Sequence, residues 1–317
     1  MHFPQTLSAE EQQVLEQFQA DVLAGLALEQ KELFSKYFYD ARGCEIYVEI
    51  KDLEEYYLPR TEFAILEACI QELTQALPDV RRIIEYGGGS GIRTELLVSS
   101  IPQLVEYLPI DVAAEQLDST AESIQKIRPE LKVTGLLGDF SELPELPDSD
   151  PRSRLGFLPG STIGNFYFKV AKDFLSRIHQ QLGQGARLLI GYDRVKDVDV
   201  LLAAYDDSKG VTARFNLNLL NRINRELGGN FDLRFFKHEA RFNAEKSRIE
   251  MHLVSTREQD VSIGDYTFHF DAGESIHTEN SHKYTDEQFA RLLQGTGWEQ
   301  KKVWSDKDGY YALALLG

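Results

Sequence analysis

Residues 80–91 read Val80-Arg81-Arg82-Ile83-Ile84-Glu85-Tyr86-Gly87-Gly88-Gly89-Ser90-Gly91. The largely apolar run from Val80 to Tyr86 predicts a buried strand, and it passes without a linker into glycines at alternate positions, Gly87, Gly89 and Gly91. Only a residue without Cβ lets the backbone turn freely at positive φ and approach a ligand closely, with the N–H groups of the following helix left to face it. The stretch therefore reads as a nucleotide cradle. Its GxGxG spacing, with Glu85 two residues ahead of the first glycine, departs from the GxGxxG of dinucleotide folds and favours S-adenosylmethionine over NAD.

Two later segments sharpen that reading. Twenty-six residues after Glu85, the apolar run Leu104 to Ile110 ends in Asp111, where an α/β nucleotide site places a carboxylate to accept ribose hydroxyls. A third run, Leu131 to Leu137, leads into Gly138-Asp139-Phe140; an aspartate and an aromatic there can bond an adenine amino group and cover its ring. Singly, Asp111 would serve as well as a helix N-cap and Phe140 as core. Suitable chemistry at three successive strand ends outweighs those separate readings.

The chain around these motifs alternates strand and helix from about Val80 to Tyr192, the signature of a parallel, doubly wound sheet. Helices are expected over much of residues 8–75, opened by a Ser8 cap with Glu11 three residues on. The alternation breaks at Val195–His282, where a helical stretch (Val211 to Leu227) and strand-like alternation (Arg248 to Val254) predict an insertion. Thr285-Asp286-Glu287 then opens a helix, and segments around Trp298 to Trp304 and Tyr310 to Leu316 form a closing hairpin. Leu143 to Arg154 reads as a surface loop.

Composition excludes several classes. A formal net charge of −17 over 317 residues, with no lysine or arginine cluster, argues against a nucleic-acid partner and for a small-molecule substrate. No apolar run approaches the roughly 20 residues that span a bilayer, and Met1-His2-Phe3-Pro4 lacks the pattern of a signal peptide; a cytoplasmic monomer is expected. Cys44 and Cys69 are too few for a disulfide framework or a zinc site. GxSxG, HExxH and GxxxxGK[ST] are absent, and the seven histidines form no i, i+4 pair, so no metal site is expected. More informative are the polar and aromatic groups Phe38-Tyr39-Asp40, Glu55-Tyr56-Tyr57, Gly160 to Asn165, Ala204 to Asp207 and Glu279-Asn280-Ser281.

Those groups carry a resemblance. Tyr37-Phe38-Tyr39-Asp40-Ala41, Glu55-Tyr56-Tyr57, Arg60-Thr61-Glu62, Gly160-Ser161-Thr162-Ile163-Gly164-Asn165, Val195-Lys196-Asp197, Ala204-Tyr205-Asp206-Asp207, Phe215-Asn216, Arg248-Ile249-Glu250-Met251 and Thr278-Glu279 with Ser281 make the chain resemble the ergothioneine-pathway L-histidine Nα-methyltransferases. The resemblance runs from about residue 20 to the C-terminus. It implies an α/β, class I methyltransferase sheet over 61–195 and 286–317, and a mixed α+β substrate lobe built from 8–60 and the insertion 196–285. It implies S-adenosylmethionine as cofactor, held by Tyr39, Gly87, Arg93, Asp111, Asp139 and Phe140, with arginine at 93 where the family pattern has lysine. It implies L-histidine as substrate, held by Tyr56, Gly160, Asn165, Tyr205, Met251, Glu279 and Ser281, with Tyr39, Tyr56 and Asn165 orienting the amine. The reading stands against a same-fold enzyme acting on another amino acid or indole amine, an NAD-dependent oxidoreductase, and a non-catalytic cofactor-binding protein.

Overall fold

The computed structural model describes residues 9–87, 91–112, 114–138 and 143–317, so Ser8, Gly88, Gly89, Ser90, Asp139 and Phe140 lie outside the described residues. In chain order the helices are α1 (Ala9–Leu26), α2 (Ala41–Lys51), α3 (Leu58–Gln75), α4 (Ile92–Ser100), α5 (Ala114–Ile127), α6 (Phe168–Leu182), α7 (Val198–Tyr205), α8 (Val211–Leu227) and α9 (Asp286–Leu293). The strands are β1 (Arg82–Tyr86), β2 (Glu106–Asp111), β3 (Lys132–Val133), β4 (Leu136–Leu137), β5 (Arg154–Leu158), β6 (Arg187–Asp193), β7 (Phe236–Asn243), β8 (Arg248–Ser255), β9 (Gln259–Ile263), β10 (Tyr266–Phe270), β11 (Ser275–His282), β12 (Gln300–Ser305) and β13 (Tyr311–Leu316). The chain divides into a core unit, Tyr57–Lys196 with His282–Gly317, and an insert unit, Asp197–Ser281 with the described residues up to Tyr56.

The core unit is built on one sheet of order β12-β13-β6-β5-β1-β2-β3, with β4 also on β2. β6, β5, β1, β2, β3 and β4 are parallel, and β13 and β12 add an antiparallel edge. Side chains alternate across a strand, and the even-numbered residues show where that leads. Ile84, Tyr86, Leu108, Ile110, Leu188, Ile190, Tyr192, Ala312, Ala314 and Leu316 share one core with Phe174, Leu175, Ile178 and Leu182 of α6 and Phe289 and Leu292 of α9. Phe289 stacks on Tyr192 with ring centroids 3.9 Å apart, and Thr285 starts α9 through a reciprocal cap with Gln288. The opposite face meets α3, whose buried Glu62 lies against Gly191 of β6. Helices on both faces make this the doubly wound α/β sheet expected from the sequence.

The third strand departs from expectation. Leu131 to Leu137 reads as one run, but the structure breaks it into β3 and β4, both in register with β2. Tyr107 and Asp111 of β2 accept from Thr134 and Gly138 on that side. Pro109 lies between them on the same side and has no N–H to donate, so the ladder lapses at its centre.

In the insert unit β11, β8 and β7 form one sheet and β9 pairs with β10 in a hairpin. Asp40 caps α2 by accepting from the Gly43 amide at 2.7 Å, and takes further bonds from Asn218 (2.8 Å) and Arg225 (2.6 Å) of α8. Burial opposes ionisation of Asp40, but the Arg225 bond and the Gly43 and Asn218 donors outweigh it and hold its pKa below the usual carboxylate value.

The division points, after Tyr56, Lys196 and Ser281, differ from the sequence boundaries at 60/61, 195/196 and 285/286 for a physical reason. Asp193, fully buried at the end of β6, accepts from Tyr57 Oη (2.7 and 2.9 Å), Lys196 Nζ (2.5 Å) and Lys283 Nζ (2.8 Å). Those three side chains therefore belong with the sheet. Removing one partner of a buried ion cluster leaves uncompensated charge, costing about 3–5 kcal/mol. Asp193→Ala is expected to lose stability on that scale in urea denaturation, and an unchanged midpoint would show that the lysines are solvated without it.

Candidate functional site

The carboxyl ends of the parallel strands put the first set of expected residues on one edge. In open α/β sheets ligands bind outside these ends, where the strand order reverses. Here that point lies at β1 and β5, because the order runs from β1 to β2 on one side and from β5 to β6 on the other. Gly87 follows β1 and Gly160 to Asn165 follow β5. Gly87 has φ +87°, open to glycine at little cost, and its N–H donates to Ile110 O at 3.0 Å. Asp111 ends β2, half-buried. These features fit a bound nucleoside: a bend without Cβ, a following helix N-terminus, and a carboxylate on the neighbouring strand end.

Behind the bend, Glu85 is buried and accepts from Thr94 (2.9 Å) and from Tyr107 (2.7 Å). Arg93, in the first turn of α4, pairs through Nη1 with Glu62. Glu62 also accepts from the Gly160 N–H at 3.0 and 3.2 Å. A Cβ on Gly191 would lie 2.1 Å from Glu62 Oε1 and 2.4 Å from Tyr311 Oη, so glycine there is what admits the carboxylate. A guanidinium carries five donors, and Glu62 takes up Nη1 of Arg93. Beyond Gly160, Ser161 turns at φ +60° and its Oγ accepts from the Asp193 N–H at 3.0 Å. Residues 162–165 form a 3-10 turn whose Gly164 carbonyl is bonded to His282 Nδ1 at 2.9 Å. Asn165, half-buried, ends this turn.

The insert unit gathers a second set. Tyr205 Oη lies 2.6 Å from Ser281 Oγ, and its ring meets Tyr56 edge-on with centroids 6.1 Å apart. Tyr39 meets Tyr47 at 5.6 Å and Phe215 at 5.7 Å, both edge-on. Burial raises the pKa of Tyr39 and Tyr56 well above that of a free phenol; Tyr47 adds to this in both, Tyr205 and Glu279 too. Both hydroxyls thus keep their protons at neutral pH. Glu279 is half-buried on β11, two residues from Ser281 and on the same face of the strand. Met251 is buried on β8, its carbonyl accepting from Thr278 at 3.1 Å.

Expected residues are thus grouped in two sets: Gly87, Arg93, Asp111, Gly160 and Asn165 in the core unit, and Tyr39, Tyr56, Tyr205, Met251, Glu279 and Ser281 in the insert unit. Asp139 and Phe140 are not among the described residues. Sequence reasoning missed Tyr47 as a neighbour of Tyr39. The signal was there, since Gly43, Ile46 and Ile50 form the buried stripe of α2 and Tyr47 adjoins it at helical spacing. Glu62 was noted only as part of a motif, and its bonds to Arg93 and Gly160 could not be read from spacing.

Comparison with known proteins adds to this geometry. A family model described as histidine-specific methyltransferase, SAM-dependent, matches residues 18–317. The chain is 38% identical over 301 residues to a histidine N-alpha-methyltransferase of Mycobacterium tuberculosis, covering 93% of each chain. It is 38% identical over 306 residues to the protein of the same name from Mycolicibacterium smegmatis, covering 95% of this chain and 94% of that one. Ergothioneine biosynthesis protein 1 of Neurospora crassa is 29% identical over 298 residues, which are 90% of this chain and 33% of that protein. Among the described residues no helix is long and apolar enough to cross a membrane.

Burial pushes the Glu85 carboxyl up to about 7, against the Tyr107 and Thr94 bonds that favour its ionised form. A carboxyl whose folded pKa is raised adds stability that is whole below its unfolded value of 4.5 and is lost as pH rises through about 7. Melting temperature is expected to fall across that window in the wild type relative to Glu85→Gln. Parallel melting curves for the two proteins would show that Glu85 ionises as an ordinary carboxylate.

Proposed function

We propose that this chain, which belongs to the S-adenosylmethionine-dependent, histidine-specific methyltransferase family, transfers three methyl groups to the α-amine of free L-histidine, giving hercynine, the first step of ergothioneine biosynthesis. The observation that carries the reading is the gathering, in one unit, of two protonated phenols with the Tyr205–Ser281 hydroxyl pair. Glu279 lies on the same strand face as Ser281.

When bound, S-adenosylmethionine supplies a methyl group made electrophilic by its sulfonium. Gly87, Arg93 and Asp111 would hold it, with Tyr39, Asp139 and Phe140 the further contacts that the resemblance implies. The chain's own task is to present an unprotonated amine in line with that methyl. A free α-amine has a pKa near 8, so a usable fraction is neutral without a strong base. Asn165 and the hydroxyls of Tyr39 and Tyr56 orient the nitrogen. As methyls replace N–H groups, aromatic faces hold the growing cation by cation–π attraction. Tyr205 suits the carboxylate, Glu279 and Ser281 the two imidazole nitrogens, Gly160 a backbone contact, and Met251 soft packing against the ring.

The net charge of −17 supports a small-molecule substrate over a nucleic-acid partner. A monomer working in the cytoplasm completes the reading.

Incubation with S-adenosylmethionine and a panel of amino acids, followed by mass spectrometry, is expected to show up to three successive methyl increments on histidine; increments on another amino acid alone would overturn the assignment. Glu279→Ala is expected to weaken histidine binding roughly tenfold or more, the scale of one charge-assisted hydrogen bond, with cofactor affinity intact by calorimetry. Asp111→Ala should do the reverse, and normal cofactor affinity in that variant would rule out its ribose role.

A further inference from the structure

Tyr205 is the last residue of α7, and the last carbonyls of a helix have no partner within it. The Tyr205 carbonyl finds one in His238 of β7, whose Nε2 lies 2.8 Å away. The imidazole is almost wholly enclosed, its side chain 1% exposed. Its other nitrogen, Nδ1, lies 2.8 Å from Nδ2 of the fully buried Asn216 of α8.

The His252 carbonyl fixes the orientation of the Asn216 amide, and through it the imidazole tautomer. Asn216 Nδ2 also faces the His252 carbonyl at 3.2 Å, and a carbonyl only accepts, so the amide nitrogen must be on that side. Asn216 Oδ1, on the other side, lies 2.8 Å from Thr278 Oγ1, whose one proton is shared between this oxygen and the Met251 carbonyl at 3.1 Å. The amide is therefore a donor to His238 Nδ1, which must carry no proton, and the neutral imidazole has its single N–H on Nε2, aimed at Tyr205. Burial, the largest influence, holds the imidazole's pKa below its ordinary value, against the Tyr205 carbonyl and the carboxylates of Asp206, Asp207 and Glu239.

We propose that His238 is a positioning residue for histidine binding: by holding the end of α7 it sets the Tyr205 phenol against Ser281. The inference rests on the reading of Tyr205 and Ser281 as substrate contacts. A phenol hydroxyl stands at the far end of its side chain, so a small tilt of the Tyr205 backbone becomes a larger displacement at Oη. Where reacting groups must align, a misplacement of about 1 Å can cost 10²-fold in rate. On its other side Tyr205 is followed by Asp207, whose carboxylate accepts from the N–H groups of Lys209, Val211 and Thr212 (3.1, 3.0 and 2.7 Å) and so caps α8. The turn after Tyr205 is therefore fixed at both ends, by His238 and by Asp207.

The test uses His238→Phe, which keeps a flat ring without the donor, His238→Gln, whose amide N–H reaches where Nε2 stood, and Tyr205→Phe. Histidine affinity is measured by calorimetry with S-adenosylhomocysteine present, alongside S-adenosylmethionine affinity and melting temperature. His238→Phe is expected to bind histidine roughly tenfold more weakly, the scale of one hydrogen bond lost from a displaced Tyr205, with cofactor affinity unchanged, and His238→Gln to restore most of the loss. Should the Phe variant not fold, His238→Asn, whose shorter amide falls short of the carbonyl, is expected to show the same loss. Wild-type histidine affinity in the Phe or Asn variant, or an equal loss of both ligands that Gln does not rescue, would overturn the role of His238. Wild-type histidine affinity in Tyr205→Phe would instead overturn the substrate reading beneath it.

Discussion

The carboxylate of Asp193 fixes the functional edge of the core unit. It has no solvent to stabilise its charge, so its stability rests on two lysines and the Tyr57 phenol. Burial draws the Lys196 ammonium down to about 8, with Asp193 opposing the change; Lys196 also lies over the Tyr57 ring, 4.5 Å from its centroid. The backbone N–H of the same aspartate holds Ser161, which starts the turn ending in Asn165. Each point where the chain passes from one unit to the other, after Tyr56, Lys196 and Ser281, lies within two residues of a side chain bound to this carboxylate. One charge thus ties together the sheet, the turn after β5 and the core-unit residues next to the three division points.

A similar economy holds two residues earlier on the same face of β6. Glu62 is enclosed, yet its oxygens meet the Arg93 guanidinium and the Gly160 amide, and glycine at 191 leaves the volume it occupies. Arginine suits this arrangement, because a planar fork can serve two anions at once where a lysine ammonium acts as a point charge. The arginine at 93, where the resemblance implies lysine, thus meets a carboxylate already in place.

The sheet was legible because local signals agreed with the global pattern. Apolar runs of strand length ended in glycines and aspartates, and the helix periods between them fitted crossover connections. The reading failed at Leu131 to Leu137, because Pro109 acts from a neighbouring strand, and within the run only Gly135, in the gap between β3 and β4, marks the break. For the site, residue types could be identified but their companions could not. Tyr39, Tyr56 and Tyr205 stood out as aromatics in polar motifs, whereas Tyr47 reads as helix stripe and His238 as one histidine among seven. What distinguishes them is proximity across segments remote in sequence, such as Tyr205 and His238, 33 positions apart, and single-chain spacing carries no information about it.

The state of the two enclosed phenols has a consequence for the reaction's acid balance. Tyr39 and Tyr56 hold their protons far into alkaline conditions, so neither can relieve an arriving ammonium of its charge. On the proposed reading the amine sheds its proton before it docks, and each methylation releases one hydrogen ion to the surrounding water. Such a protein acidifies its medium as it works, and the onset of turnover with pH follows the free amino acid more than any side chain that embraces it.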